Sequence, residues 1–336
     1  MKTKIRTRHQ SQTRDSYSAQ KDTQTTTTST RYGRKYCTIP TYYTRILIIV
    51  VVVVGLFTVA LINHRRPKVQ AGVAVAHQAV LGEQSKECSS EDLYNNPLHF
   101  RKCIRRNESS SCKPRQTEDW DKWVGDRYDR LGGKCVTPEL MKNTGRTWAV
   151  SGRGSSLSST LETRTTLNEL LHDPSLNIKT FLDCPCGDWL WMQAVNLTGV
   201  QYFGADITQR TVDETTKCFE RANVHFHHMD WSCAIPPPVD LVMARDVLFH
   251  LSTSVVLDIL RHINQSGARY LLTTTFPNTT SNIVDNFVKD HIGCRNINLY
   301  GPPYNFPDPV AVTGMEAVKE SGRHMALWKL PVPLDN

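Results

Sequence analysis

Residues 46–336 of this chain lack a net charge, although the chain as a whole is basic. Its 336 residues include 40 Lys and Arg against 32 Asp and Glu, a formal charge of +8. Residues 1–45 contain 10 of the basic residues and only 2 of the acidic ones, which leaves 30 of each sign for the rest. A protein that follows nucleic-acid phosphates needs a basic surface on its folded part. The charge distribution therefore argues against a nucleic-acid partner.

Long apolar runs are also scarce, and the exception is Ile46–Ile62. Its seventeen residues are apolar apart from Gly55 and Thr58. As a helix they would extend about 25 Å, which is enough for a thin bilayer. We predict an uncleaved transmembrane helix here. The alternative is a cleaved signal peptide, whose apolar region would be shorter and nearer the amino terminus.

The surrounding residues predict the direction in which this helix crosses the membrane. Basic residues are more numerous before it than just after it, so the amino terminus is expected in the cytosol. Nine of the ten cysteines lie beyond the helix, as an oxidising lumen permits. The sequons of the form Asn-x-Ser/Thr all lie there too, and they begin at Asn107, Asn196, Asn264 and Asn278. We therefore predict a single-pass type II membrane protein of the ER or Golgi whose folded part is lumenal.

Composition divides the chain into four parts. Residues 1–45 are rich in Thr, Ser, Gln and basic residues and are predicted to be a disordered cytosolic tail. Residues 46–62 are the membrane helix, and the polar residues 63–115 are predicted to form a stem. Residues 116–336 are long enough for one domain of ordinary size, and the chain has no internal repeats.

The pattern of apolar runs in this last part predicts an α/β domain. The predicted strands are 178–183, 201–207, 224–229, 240–244 and 270–275. Segments 209–221 and 254–263, which lie between strands, have helical composition, and Thr160–Leu171 has roughly helical apolar spacing. Alternation of strand and helix favours a Rossmann-like, doubly wound, mostly parallel sheet. Residues 326–330 are predicted to be a last strand that is inserted antiparallel.

Two glycine-containing segments stand out beside the first predicted strand. Phe181–Trp189 runs from the strand into a tight turn and then into residues compatible with a helix, an arrangement that presents backbone N–H groups to a nucleotide-like ligand. Ser151–Ser156 precedes the strand as a glycine-serine loop. It is either a linker or a loop that covers an anionic ligand, because small residues allow backbone amides to approach it.

Polar residues occur where successive predicted strands end. Asp183 closes the first strand, Asp206 closes the second and Asp230 follows the third. An acid at the second position, about twenty residues beyond the turn, accepts hydrogen bonds from ribose hydroxyls. An acid after the third strand can accept from an adenine amino group, with Trp231 as an apolar wall. Each acid taken alone is better explained as a helix cap or a surface carboxylate, but their order along the chain favours a shared site.

These residues carry a resemblance to a known family. The segments in question are Leu182–Asp188, Tyr202–Ile207, His228–Asp230 and Asp240–Leu251. Together they resemble class I S-adenosylmethionine-dependent methyltransferases, and more narrowly a group with Pro-Cys-Gly-Asp in the first loop and Arg-Asp…His-Leu after the fourth strand. The likeness covers about residues 148–330. It implies the class I methyltransferase fold and S-adenosylmethionine as the cofactor.

The resemblance also implies cofactor contacts. The positions concerned are Asp183, Cys184, Gly187, Asp206, Ile207, Asp230, Trp231 and Arg245. The first loop would surround the methionine portion, the acid of the second strand would hold the ribose, and the acid and tryptophan after the third strand would meet the adenine. Arg245 would hold the cofactor or an acidic substrate, or neutralise nearby carboxylates. The first loop departs from the family pattern because Gly187 is the one glycine left in it.

The segment after the fourth strand contains the predicted catalytic pair, Asp246 and His250. Four residues apart, they would share one face of a helix, and histidine is suited to accept a proton from an acceptor hydroxyl near neutral pH. The alternative is that Asp246 caps this helix and His250 packs in the core. We predict methyl transfer to a hydroxyl of a glycan, a small molecule or another acceptor of the secretory pathway.

Two other functions remain as alternatives. The order of tail, anchor, stem and lumenal domain is common among glycosyltransferases, and Asp119-Trp-Asp121 matches their metal-binding triplet, although it precedes the predicted sheet. A catalytically silent membrane adaptor that keeps the fold is the other, and the loss of loop glycines favours it. No metal site is predicted, because the Cys184-Pro-Cys186 spacing is too close for an ordinary zinc knuckle.

Overall fold

The computed structural model describes residues 88–106, 118–147, 150–282, 294–313 and 322–334. The predicted tail, the membrane helix at 46–62 and most of the stem lie outside the described residues. Within the described ranges, no helix is long and apolar enough to cross a membrane.

The described residues contain helices and strands in alternation along most of the chain. The helices are α1 (Ser90–Asn95), α2 (Phe100–Cys103), α3 (Glu118–Asp129), α4 (Pro138–Thr144), α5 (Leu161–His172), α6 (Gln209–Phe219) and α7 (Thr253–Ser266). The strands are β1 (Arg105–Arg106), β2 (Thr180–Asp183), β3 (Gln201–Asp206), β4 (Val224–His228), β5 (Ala234–Ile235), β6 (Leu241–Ala244), β7 (Tyr270–Thr275), β8 (Ala311–Val312) and β9 (His324–Lys329). Short 3₁₀ turns occur at Pro97–His99, Arg153–Ser155, Met192–Ala194 and Leu248–His250.

The main sheet has seven strands in the order β4-β3-β2-β6-β7-β9-β8. Strands β4, β3, β2, β6 and β7 are parallel to their neighbours in this group, and β9 runs antiparallel between β7 and β8. The predicted doubly wound, mostly parallel sheet and its antiparallel last strand are therefore confirmed. The order reverses between β2 and β6, and this reversal is the position at which open α/β sheets bind ligands.

Both faces of the sheet are covered because neighbouring residues of a buried strand point to opposite sides. On β2, Leu182 belongs to the apolar cluster that includes Ile259 of α7, whereas Phe181 belongs to the cluster that includes Leu167 of α5. Helix α7 fits its face well, since its buried apolar residues recur at helical spacing. Its first turn is capped by Ser252, whose hydroxyl accepts from the Val255 amide.

The folded domain begins earlier than the predicted boundary at residue 116. Leu93 of α1 and Phe100 of α2 are completely buried, and Phe100 stacks on Phe203 of β3 with ring centroids 4.5 Å apart. A disulfide joins Cys88 to Cys103 across this segment. Residues 88–106 thus pack on the sheet instead of forming part of a stem, because their apolar side chains complete one face of the core.

The helix expected directly after the first loop is not formed. The chain continues from Gly187 through turns to the 3₁₀ turn Met192–Ala194, and Trp189 has a left-handed φ of 59°. Leu190 and Trp191 are both buried along with it. Consecutive side chains that all enter the core have no solvent-facing side, so the segment cannot form an ordinary amphipathic helix.

Candidate functional site

A cavity of about 450 Å³ opens beside the carboxyl ends of the strands at the β2/β6 reversal. All ten site residues predicted from the sequence line it: Asp183, Cys184, Gly187, Asp206, Ile207, Asp230, Trp231, Arg245, Asp246 and His250. Parallel strands bring their carboxyl ends to one edge of the sheet, which explains why residues up to 67 positions apart in the chain meet here. The volume lies in the range of small-molecule sites.

Asp183 lies at the end of β2 and is 2 % exposed. Its Oδ2 accepts a hydrogen bond of 2.8 Å from the Tyr202 hydroxyl. Burial raises the pKa of this carboxyl to about 7, although the Tyr202 hydrogen bond and the charge of Arg245 act in the opposite direction. A ligand that brings a positive charge to Asp183 would therefore favour its ionised form.

Asp206 at the end of β3 connects its own strand to the first loop. Oδ1 accepts from the Thr208 amide at 2.9 Å and from the Thr208 hydroxyl at 2.8 Å, while Oδ2 accepts from the Gly187 amide at 3.2 Å. Burial raises the pKa of Asp206 despite these hydrogen bonds. Each carboxylate oxygen has two lone pairs, so Oδ2 retains capacity for a ligand hydroxyl.

The first loop packs directly against the glycine-serine loop that precedes α5. The Ser151 amide donates to Asp188 Oδ2 at 2.7 Å, and the Asp188 amide donates to the Ser151 hydroxyl at 2.8 Å. Gly187 has a φ of 55°, and a Cβ there would lie 2.4 Å from the Ser151 hydroxyl oxygen. Four residues of Ser151–Ser156 line the cavity, so this loop is part of the site and not merely a linker.

Asp230 and Trp231 line the cavity beyond the end of β4. Asp230 Oδ1 accepts from both the amide and the hydroxyl of Ser232, at 3.0 and 2.6 Å. Trp231 is buried in the core, and its carbonyl oxygen lies 2.8 Å from His262 Nδ1. The local turn fixes the orientation of the acid, and the core contacts fix the position of the indole.

Asp246 and His250 do not share one face of a helix, contrary to the prediction from the sequence. Asp246 has a left-handed φ of 56°, His250 ends a 3₁₀ turn, and α7 begins only at Thr253. Ser252, not Asp246, caps that helix. Both predicted residues nevertheless line the cavity, because the tight turn after β6 directs this segment across the end of the sheet.

Asp246 is held in an ionic cluster. Its Oδ2 pairs with Arg245 Nη1 at 3.0 Å and also with Arg323, and its Oδ1 accepts from the Thr274 hydroxyl at 3.1 Å. Burial by itself would raise the pKa of Asp246, but the two guanidinium groups outweigh it and lower the pKa below its ordinary value. Asp246 is therefore a poor acceptor for a substrate proton. Arg245 also donates to the Gly154 carbonyl at 2.9 Å, which ties the glycine-serine loop to this cluster.

Several residues of the site were not predicted from the sequence. Arg323 reaches the cavity from the turn that leads into β9, far along the chain from its partner Asp246. Trp120 and Trp123 reach it from α3, and Phe249 reaches it from the 3₁₀ turn after β6. The aromatic composition of α3 was visible in the sequence, but nothing there indicated which strand end it would face.

No protein-family model and no curated protein matches this chain. Solved structures similar to it include magnesium protoporphyrin IX methyltransferase (ChlM) from Synechocystis PCC 6803 with bound SAH, at 15 % identity and a TM-score of 0.43, covering 63 % of this chain and 96 % of that one. The structure of that enzyme with bound SAM has 15 % identity and a TM-score of 0.42, covering 66 % and 99 %. The methyltransferase domain of bacterial CtHen1 has 14 % identity and a TM-score of 0.38, covering 51 % and 100 %.

The described residues form an α/β fold with a mostly parallel seven-stranded sheet, as the strand order and the antiparallel β9 show. A shared fold is compatible with many functions, and the function must be argued from the site.

The charges of the cavity favour a ligand with a cationic end. Asp183, Asp206 and Asp230 come from the ends of three neighbouring strands, whereas Asp246 is paired with two arginines. Burial raises the pKa of Asp183 and of Asp206, so these two carboxylates gain stability from a nearby positive charge or from donated hydrogen bonds. Among the described residues, no group of three or more His, Cys, Asp or Glu side chains is arranged to hold a metal ion.

Proposed function

We propose that this protein is an S-adenosylmethionine-dependent methyltransferase. The proposal is based on three carboxylates, Asp183, Asp206 and Asp230, which line the cavity at the β2/β6 reversal. S-adenosylmethionine offers an ammonium and a sulfonium to the first, ribose hydroxyls to the second and an adenine amino group to the third. When bound, it supplies a methyl group already activated on sulfur, so the protein mainly positions the reactants and excludes water.

Each predicted cofactor residue has a place in this arrangement. Cys184 and Gly187 would lie beside the methionine portion, Ile207 and Trp231 beside the ribose and adenine, and Arg245 near the cofactor carboxylate. The first loop suits this role because the missing Cβ of Gly187 permits its contact with the glycine-serine loop. These residues fit the cofactor, since they combine hydrogen-bond acceptors and apolar walls within one cavity.

His250 is the residue we propose as the acceptor of the substrate proton. It is an imidazole at the cavity wall, and a ring nitrogen can take the proton from an acceptor hydroxyl as the oxygen receives the methyl group. Asp246 is assigned a different role from the predicted one. Its carboxylate orients Arg245 and Arg323 and does not itself move a proton.

We further propose that the protein is a type II membrane protein whose folded domain faces the lumen of the ER or Golgi and methylates a glycan or another secretory acceptor. The predicted helix at 46–62 and the distribution of sequons support this placement. Disulfides support it as well, because the cysteines outside the first loop that the structure describes are disulfide-bonded, a state typical of oxidising compartments.

Calorimetric titration of the full-length protein in detergent micelles with SAM and SAH tests the cofactor. We expect binding by the wild type, loss of at least tenfold in affinity for Asp206→Asn, and no change for Asp258→Asn, which alters an exposed acid on α7. Thermal unfolding by circular dichroism would verify that all three proteins are folded. A folded wild type that binds neither ligand would refute the proposal and favour the silent adaptor.

Attachment of glycans to the Asn-x-Ser/Thr sequons would test whether the folded domain lies in the lumen. Asn196 is exposed, whereas both ends of the Asn264 amide are bound to the Val332 backbone, at 2.8 and 2.9 Å. We therefore expect Asn196→Gln to remove a glycosidase-sensitive shift in mass on expression in secretory cells, and Asn264→Gln to remove none. A chain without any glycan on these positions would contradict the lumenal placement.

A further inference from the structure

Two tryptophans, a phenylalanine and a histidine line part of the cavity, and the proposed cofactor contacts do not use them. Trp120 and Trp123 of α3 lie with ring centroids 5.7 Å apart and ring planes at 76°. His250 approaches Trp120 at 6.4 Å, and Phe249 approaches His250 at 4.4 Å. These four residues line the cavity, and we call them the aromatic wall.

Neighbouring side chains restrict the rings of the aromatic wall. The guanidinium of Arg127 lies 3.6 Å from the centroid of the Trp123 ring and donates to the Val150 carbonyl at 2.8 Å. Phe249 meets the ring of Phe276 edge-on at 5.4 Å. Such contacts restrict the rings before any ligand arrives, which lowers the entropic cost of binding.

Residues of the aromatic wall differ in burial from the structural aromatics of the same domain. Trp189 and Trp328 are almost completely buried, as expected of rings that only fill a core. Trp120 and Trp123, in contrast, keep part of their surface accessible. Partly accessible tryptophans in a cavity, fixed by their neighbours, are typical of ligand contacts, because an indole combines a large apolar area with little conformational freedom.

The cavity lining outside the aromatic wall includes polar groups. Among them are Asp246 and Arg323 of the ionic cluster and residues of the glycine-serine loop Ser151–Ser156. A flat aromatic acceptor would be best matched by apolar surfaces on both of its faces. A sugar ring instead has one face of C–H groups and a rim of hydroxyls, and it is matched by a single aromatic wall within a lining that hydrogen-bonds.

We propose that the aromatic wall is the acceptor subsite and that it takes a pyranose ring. The apolar face of the sugar packs on Trp120, and a hydroxyl at its rim lies beside His250, which receives the hydroxyl proton while the methyl group passes from sulfur to oxygen. This inference rests on the proposed function, since it names the acceptor class for the same cavity. It also gives α3 a function, as the element that brings two tryptophans over the strand ends.

The test is saturation-transfer NMR on the full-length protein in micelles with bound SAH. The probes are the methyl glycosides of galactose, mannose, N-acetylglucosamine and glucuronic acid, with catechol as a flat aromatic comparison. We expect at least one glycoside to bind through protons on a single face of its ring. Trp120→Ala should weaken that binding by about tenfold and Trp120→Phe by less, in line with the usual strength of aromatic contacts. Asp126→Ala, an exposed change on the same helix, is the matched control.

SAH affinity, measured on the same variants, distinguishes failure of the acceptor subsite from failure of the cofactor site. Loss of SAH binding in Trp120→Ala would place this ring against the cofactor and overturn the acceptor assignment, as would binding of catechol alone or of no probe. Failure of the wild type to bind SAH would instead refute the proposed function itself. Glycoside binding that depends on Trp120, with SAH affinity unchanged, would establish the subsite.

Discussion

Replacing Asp183 by Asn tests the raised pKa of this buried carboxyl in the site. The side chain is buried at the end of β2, and its pKa is raised from an ordinary 3.8 to about 7. Asn has the same shape as the protonated acid and still accepts the hydrogen bond from the Tyr202 hydroxyl. The substitution therefore removes the cost of ionising a buried carboxyl and leaves the packing nearly unchanged.

The sign of the effect follows from the direction of the shift. The pKa of Asp183 is higher in the folded state than in the unfolded state, so the folded state binds the proton more tightly. The protonated carboxyl therefore contributes fully to the unfolding free energy only below about pH 4. This contribution is lost as the pH rises towards 7. The difference between 3.8 and about 7 corresponds to about 4 kcal/mol above pH 7, and roughly 3 kcal/mol of this should be lost between pH 5 and pH 8.

Urea denaturation of the full-length protein, followed by tryptophan fluorescence at pH 5, 6, 7 and 8, measures this quantity. Other buried acids such as Asp206 titrate in both proteins. The difference in unfolding free energy between wild type and Asp183→Asn therefore reports the Asp183 carboxyl alone. We expect the variant to gain stability relative to wild type by about 3 kcal/mol over this range. Parallel pH profiles for the two proteins would show that Asp183 titrates normally and that its environment is more polar than the structure indicates.

Three further changes probe the packing around the site. Gly187→Ala combines a left-handed φ with a Cβ only 2.4 Å from a hydroxyl oxygen, so we expect a loss of about 2–4 kcal/mol in unfolding free energy and weaker SAH binding. Gly125→Ala lies inside α3 and meets no atom within 4 Å, so it should leave SAH binding unchanged and raise the unfolding free energy by up to about 1 kcal/mol. Reducing Cys135–Cys218, which closes a loop of 83 residues, should lower the unfolding free energy by about 2–5 kcal/mol, and an unchanged melting temperature in reductant would contradict this. Asp240→Ala removes a buried carboxylate that accepts three hydrogen bonds of 2.9–3.0 Å at the opposite end of the strands. Thermal denaturation should therefore show that the unfolding free energy falls by about 3–5 kcal/mol. A fall below about 1 kcal/mol would mean that water replaces the carboxylate.

Several features of the site were accessible from the sequence because they depend on one strand at a time. An acid directly after a buried apolar run must lie at the end of that strand, and Asp183 and Asp206 do so. Once the strands are parallel, their carboxyl ends share one edge. All ten predicted residues therefore line one cavity, although no pair of them was known to be in contact.

Other features depended on residues that are distant in the chain. Asp246 was expected on a helix, but its partner Arg323 lies in the turn that leads into β9, far along the chain. Local spacing describes only neighbours within a helix or strand, and it contains no information about a partner from another element. Of the predicted catalytic pair, our proposal therefore keeps His250 as the proton acceptor and gives Asp246 the role of orienting the two arginines.

The sequence by itself determined the alternation of strands and helices, the acids at the strand ends and the place of the binding cavity, because periodicity and strand order are local and topological properties. Only the tertiary structure decided that residues 88–106 complete the core, that Trp189 turns inward instead of starting a helix, and that α3 brings Trp120 to the cavity. Each of these depends on whether a side chain finds a complementary surface elsewhere in the fold. That match is set by packing and hydrogen bonding between distant segments, which no local pattern records.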